Sequence, residues 1–276
     1  MKPILLAVFA TGLSLATLAQ SDSTSGDKAD TIRVGGIVII KKHDQADSSK
    51  NRNVDVTINK RERRKPSNVS TNWGIVDLGF ANYSDNTVYS SAAVQQVMPG
   101  ATGKEALELR TGKSVNVNVW FFMQRLNVIA HVVNLKYGLG LELNNYTYDR
   151  DLQFQKNPMR ILPAAEDLKK GKLAADYVTV PMLLNLNLTP KRERGFGISG
   201  GVSAGYLYSA RYKTKDGNGD KEKLHDNFDL EKWKLSYIGE LNMGVVTLYG
   251  SYAFKNMWDK TFDQRPYNFG IRFSHW

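Results

Sequence analysis

Cysteine is absent from the 276 residues. That excludes disulfides, and it excludes a lipid carried on an N-terminal cysteine. Long apolar runs are missing as well. Beyond residue 19, no stretch reaches the roughly 20 apolar residues that a spanning helix needs. With 42% hydrophobic residues and a negative mean hydropathy, a helical membrane bundle is excluded. Histidine is scarce, with only four in the chain. His43 lies in a basic stretch, His131 in a short connection and His275 at the C-terminus, so only His225, beside Asp226, falls in a long connection. A lipid-modifying barrel enzyme needs a nucleophile or base, usually Ser with His and a carboxylate. No serine is spaced to suggest such a partner, so no enzyme, catalytic residue or cofactor is expected. Lys215 to Asp220, KDGNGD, begins like a calcium loop, with Asp216, Asn218 and Asp220 at alternate positions. The pattern then fails, because Lys221 stands where the loop wants Gly and Asn227 where it wants Glu. A hairpin tip is the better reading. No metal-ligand spacing, phosphate loop or nucleotide motif is present.

What is present begins with an export signal. In MKPILLAVFATGLSLATLAQS, Lys2 gives a positive start and Ile4 to Leu18 an apolar stretch. Thr17-Leu18-Ala19 then offers small-residue cleavage before Gln20. Residues 1–19 are expected to be a secretory signal peptide. Residues 20–72 read as a basic, largely flexible periplasmic segment. From Lys41 to Lys65 there are nine Lys or Arg against four Asp or Glu, which accounts for much of the net charge of +10. Thr31 to Lys41 and Asn53 to Asn59 have strand character and are expected to pair as a short hairpin within 31–59. Lys60, Arg61, Arg63, Arg64 and Lys65 form a basic contact segment for peptidoglycan, acidic headgroups or a periplasmic protein. A solvated linker is the plainer reading, and nucleic acid is not expected of an exported chain.

Residues 73–276 carry alternation of period two. In Asp176 to Leu188, DYVTVPMLLNLNL, Val178, Val180, Met182, Leu184, Leu186 and Leu188 share one face. Thr179, Leu183, Asn185 and Asn187 share the other. Seven further strands follow the same logic: 73–82, 114–124, 132–146, 195–212, 230–242, 245–255 and 266–276. Most are about ten residues or longer, enough for a tilted strand to cross a bilayer. The connections alternate long and short throughout, as in a barrel with short periplasmic turns and longer outer loops. The expected fold is all-β. It is an eight-stranded antiparallel up-and-down transmembrane β-barrel with a mostly flexible N-terminal segment, in the bacterial outer membrane with both termini periplasmic.

The inward face of these strands carries Asp77, Lys136, Glu142, Lys234, Glu240, Lys255 and Arg272. An eight-stranded barrel is just wide enough for side chains to fill. These groups are therefore expected to form a polar network in the lumen, since a buried charge without a partner is costly. A narrow ion pathway is the alternative. Trp73, Tyr83, Tyr146, Tyr148, Tyr208, Tyr212, Trp258, Tyr267 and Phe273 fall near strand ends, where an interfacial aromatic belt belongs.

The segments WGIVDLGFANY, SVNVNVWFFMQRLNV, KYGLGLELNNYTY, YVTVPMLL and VTLYGSYAFKNMW with YNFGIRF resemble the outer-membrane β-barrel domain of Bacteroidetes, grouped with PorT-like barrels. The resemblance runs from Trp73 to Trp276, with DTIRVGGIVII upstream. Its motifs are strand patterns, specific for the barrel and nearly silent about activity. It implies an eight-stranded outer-membrane barrel, and the expected function is a structural or interaction role in the envelope. Outer-membrane lipids and the barrel-assembly machinery are the expected partners. A narrow channel or transporter is one alternative, and an accessory of a type IX-like secretion system is another.

Overall fold

The structure, a computed structural model, describes residues 30–34, 37–41, 67–190 and 195–273. The expected signal peptide, the Asn53–Asn59 strand, the basic segment Lys60 to Lys65, His43 and residues 274–276 lie outside the described residues.

Two units are distinguished, residues 1–65 and 66–276. In the first, β1 (Asp30–Val34) pairs antiparallel with β2 (Ile37–Lys41), Val34 opposite Ile37. The expected partner Asn53–Asn59 lies outside the described residues. The Thr31–Lys41 stretch supplies both strands itself. Gly35 and Gly36 separate them in sequence, a pair suited to two-residue hairpin connections.

In the second unit, eight strands among the described residues close into an antiparallel ring. They are β3 (Val69–Asp85), β4 (Val115–Ile129), β5 (Val133–Thr147), β8 (Leu168–Asn187), β9 (Phe196–Asp216), β11 (Trp233–Met243), β12 (Val246–Ala253) and β13 (Gln264–Phe273). Each pairs with the next, and β13 returns to β3, placing Arg272 opposite Asp77. Closure removes the sheet edges, leaving the backbone groups of the ring paired without water.

Three connections are short: Ala130 to Val132, residues 188–195 and Gly244-Val245. In the first, Ala130 and His131 take φ of 47° and 58°; in the last, Gly244 takes 78°. The long connections carry structure of their own. Between β3 and β4 lie α1 (Ala92–Val97) and two short 3-10 turns. Between β5 and β8 lies the hairpin β6 (Leu152–Gln155) with β7 (Arg160–Pro163). After β9 comes β10 (Lys221–His225), which folds back on β9. The chain enters β3 and leaves β13 at the short-turn end of the ring.

Exposure follows the alternation. Val178, Val180, Met182, Leu184 and Leu186 are exposed, and so are Val76, Leu78 and Phe80, Ile198 and Val202, and Phe269, Ile271 and Phe273. Such rows belong against acyl chains rather than water. Among the described residues no helix is long and apolar enough to cross a membrane.

Two departures from simple alternation correct the expected faces. In β4 the register shifts between Trp120 and Phe122. The bulge at Phe121 turns Met123, expected outward, to a fully buried position, and leaves Gln124 among outward neighbours, bonded to Tyr137 and Thr71. Opposite this bulge Gly74 takes a φ of +65°, a conformation that costs glycine nothing. Trp73 therefore turns outward and meets Phe122 with ring centroids 5.9 Å apart. The second bulge is in β9 at Tyr208, where the register against β8 shifts between Asp176 and Tyr177.

Candidate functional site

Inside the ring the strands bring together six of the seven predicted lumen charges. Arg272 on β13 is the hub. Its Nε donates to Asp77 Oδ1 at 2.6 Å and one Nη to Asp77 Oδ2 at 2.9 Å. Its other Nη donates to Glu240. This two-pronged pairing fixes the guanidinium in direction as well as in charge. Lys136 Nζ donates to Glu240 at 2.9 Å and to Ser199 Oγ at 3.3 Å. Lys234 pairs with Glu142, which also accepts from Asn144 at 3.0 Å and from Asn268 at 2.9 Å. All six are buried. In this network three acids meet three bases, and Arg125, opposite Lys136 across the β4–β5 pair, adds a further base to the same inward face.

Amides and rings complete the filling. Trp120 Nε1 donates to Asp77 at 2.7 Å, and the Arg272 guanidinium lies 5.6 Å from the Trp120 ring centroid. Asn118 donates to Asp77 at 3.2 Å, Asn116 to Asn144 at 2.9 Å, and Tyr249 Oη to Asn116 at 2.6 Å. Sequence reading did not single out Trp120 or Tyr249 for the lumen. The signal was available, because Trp120 shares the parity of Asn116 and Asn118. Gly140 makes room for the indole: a Cβ there would stand 2.7 Å from Trp120 Cε3. A cavity of about 30 Å³ lies among Asp77, Trp120, Glu142, Glu240, Tyr249 and Arg272.

Lys255, the seventh predicted lumen charge, lies elsewhere. Strand β12 ends at Ala253, so the inward parity that Lys255 would have inherited is lost. Its side chain is 45% exposed and donates to Glu231 at 2.7 Å.

Above the polar layer, at the long-loop end, the filling changes. Leu107 and Leu109 from the first long connection, Phe154 and Ile161 from the β6–β7 hairpin, Phe228 and Leu230, and Trp258 and Phe262 pack into one apolar cluster. The helix α1 adds Val94, and its N-cap Ser91 accepts from the Val94 backbone N–H. Tyr146, Tyr148 and Tyr212 lie in this cluster, with Tyr83 against it. Phe154 stacks on Tyr212 at 4.2 Å. This corrects the expected aromatic belt for Tyr83, Tyr146, Tyr148, Tyr212 and Trp258. On β5 the parity of Tyr146 is that of Glu142 and Asn144, which points it inward. Trp73, Tyr208 and Phe273 are exposed on the outside, and Tyr267 is half-exposed. Burial lifts the Tyr148 phenol well above its ordinary range, so it stays protonated in the cap.

The remaining chemical candidates are structural. Asp216 Oδ1 accepts from the backbone N–H groups of Gly219 and Asp220, at 2.7 and 2.8 Å, and so caps the β9–β10 tip. His225 ends β10 opposite Arg211 and is exposed. No group of three or more His, Asp or Glu that could hold a metal occurs among the described residues.

The family model described as "Outer membrane protein beta-barrel domain" matches residues 63–259 of the chain. No curated protein matches it.

Proposed function

The chain belongs to the outer membrane protein beta-barrel domain family, and from that premise we propose that it serves the envelope as a non-conducting, non-enzymatic structural or interaction protein. It is an integral outer-membrane β-barrel protein. One observation carries the narrower reading: the lumen is filled by an ion-paired network and covered by an apolar cap. Ion pathways are lined by rings of one charge sign along a continuous water-filled bore. Here each acid is tied to a base. The four long connections are the surfaces for contact. Entry and exit of the chain at the short-turn side of the ring support the placement of the termini in the periplasm.

The test is electrical. Purified protein in planar bilayers is expected to give no discrete conductance steps, and reproducible steps would establish the channel instead. A second reading, an accessory of protein secretion, rests on the likeness of the strands to PorT-like barrels. Unchanged secretion after deletion of the gene would remove it.

A further inference from the structure

The long-loop end carries a basic ribbon that neither the lumen nor the cap uses. Strand β9 outruns the ring and pairs there with β8 on one side and β10 on the other. Residues directly opposite one another in antiparallel strands share a face. One rung is Lys170, Lys215 and Lys221. The next is Lys172, Lys213 and Lys223. The third is Ala174, Arg211 and His225. Between these rungs the other face of the ribbon presents Leu173, Tyr212 and Leu224, which belong to the apolar cap. The basic rungs therefore face outward. In the rung below, Asp176 lies opposite Ser209, and Arg211 is paired with it.

Like charges set directly opposite one another destabilise a sheet. Burial, with the charges of Lys170, Lys213 and Arg211, pulls the Lys172 ammonium down to about 8. Strand pairing by itself gives no reason to place three lysines across each of two successive rungs. An anion laid across them does.

The height of the ribbon says which anion. Exposed Tyr206 and Tyr208 lie just below it on β9, and Tyr206 packs against Trp233 with centroids 5.1 Å apart. Such rings mark the boundary between acyl chains and headgroups. Arg211 is three residues beyond Tyr208, about 10 Å along the strand and about 7 Å along the membrane normal at a tilt near 45°. That is within the headgroup layer, and the lysines of the next rungs can snorkel into it from above.

We propose that the outward face of the β8–β9–β10 ribbon binds the phosphate-bearing headgroup of an anionic lipid in the leaflet at the long-loop end. The proposal rests on the membrane-spanning reading of the ring. Its test uses the full chain refolded in detergent, with native mass spectrometry of lipid retained from mixed micelles. The probes are lipid A carrying its phosphates, lipid A stripped of them, and free inorganic phosphate as competitor. Expected are retention of the phosphorylated lipid at least tenfold above the stripped one, and no displacement by millimolar phosphate. Replacing four lysines together (Lys170→Gln, Lys172→Gln, Lys213→Gln and Lys223→Gln) is expected to abolish that preference. Equal retention of both lipids by the native chain would overturn the proposal, as would an undiminished preference in a variant that keeps heat-modifiable migration. Displacement by free phosphate would show an ion site rather than a lipid site and would overturn it too. A native chain without heat-modifiable migration would sink the barrel reading itself, and the lipid site with it.

Discussion

Within the ring the interior is held by ion pairs and amides; at the long-loop end it is held by aromatic and aliphatic packing. The difference follows from what each layer must do. Ring positions are tied to strand parity, and the outward parity is claimed by lipid. The inward parity is left free for polar side chains, which satisfy one another across a bore too narrow for bulk water. The cap is built from long connections that are not bound to alternation. It can collect Phe154, Phe228, Trp258 and Phe262 as a water-soluble protein collects a core.

That contrast can be broken from the lumen side first. Arg272→Leu strands Asp77 without its base and leaves Glu240 to Lys136 alone. It is expected to destabilise the barrel by about 3–5 kcal/mol, read as a lower urea midpoint for loss of heat-modifiable migration. Replacing Asp77 by Leu in the same chain should recover most of that loss, because Glu240 keeps its pair with Lys136. An unchanged midpoint for Arg272→Leu alone would show that the hub is not structural.

The cap should fail differently. Trp258→Ala removes a fully buried indole that bonds Gln264 at 2.8 Å. It is expected to cost about 3–5 kcal/mol locally, seen as faster proteolysis of the long connections while the ring keeps its heat-modifiable migration. Conductance should stay absent, because the polar network fills the bore without help from the cap. The smallest effect sharpens the boundary. Lys255→Ala loses an exposed pair with Glu231 and should lower the stability by less than about 0.5 kcal/mol, leaving the midpoint almost unchanged. A loss approaching that of Arg272→Leu would place Lys255 in the lumen network after all.

Several features are legible in the amino-acid sequence. Eight strands, the sorting of long and short connections, and the inward side of Asp77, Lys136, Glu142, Lys234, Glu240 and Arg272 all follow from period-two patterning. Three kinds of feature are not. Gly74 and the bulge at Phe121 change which residues face lipid, and a bulge leaves no mark in alternation until register is known. Lys255 is misplaced by parity because a strand's last residue is set by where its partner stops pairing. The tyrosines at 146, 148 and 212 look like interfacial aromatics from their position near strand ends. Their burial depends on β6, β7 and the other long connections arriving above them.

The amino-acid order by itself determined that this chain makes alternating ribbons long enough to cross a bilayer, because side-chain direction along a strand is a local property. Which charge meets which lay beyond it. Arg272 reaches Asp77 across 195 positions of chain, and Glu142 reaches Lys234 across 92. Such partnerships exist only once the last strand has paired with the first and closure has brought the inward rows within hydrogen-bonding distance.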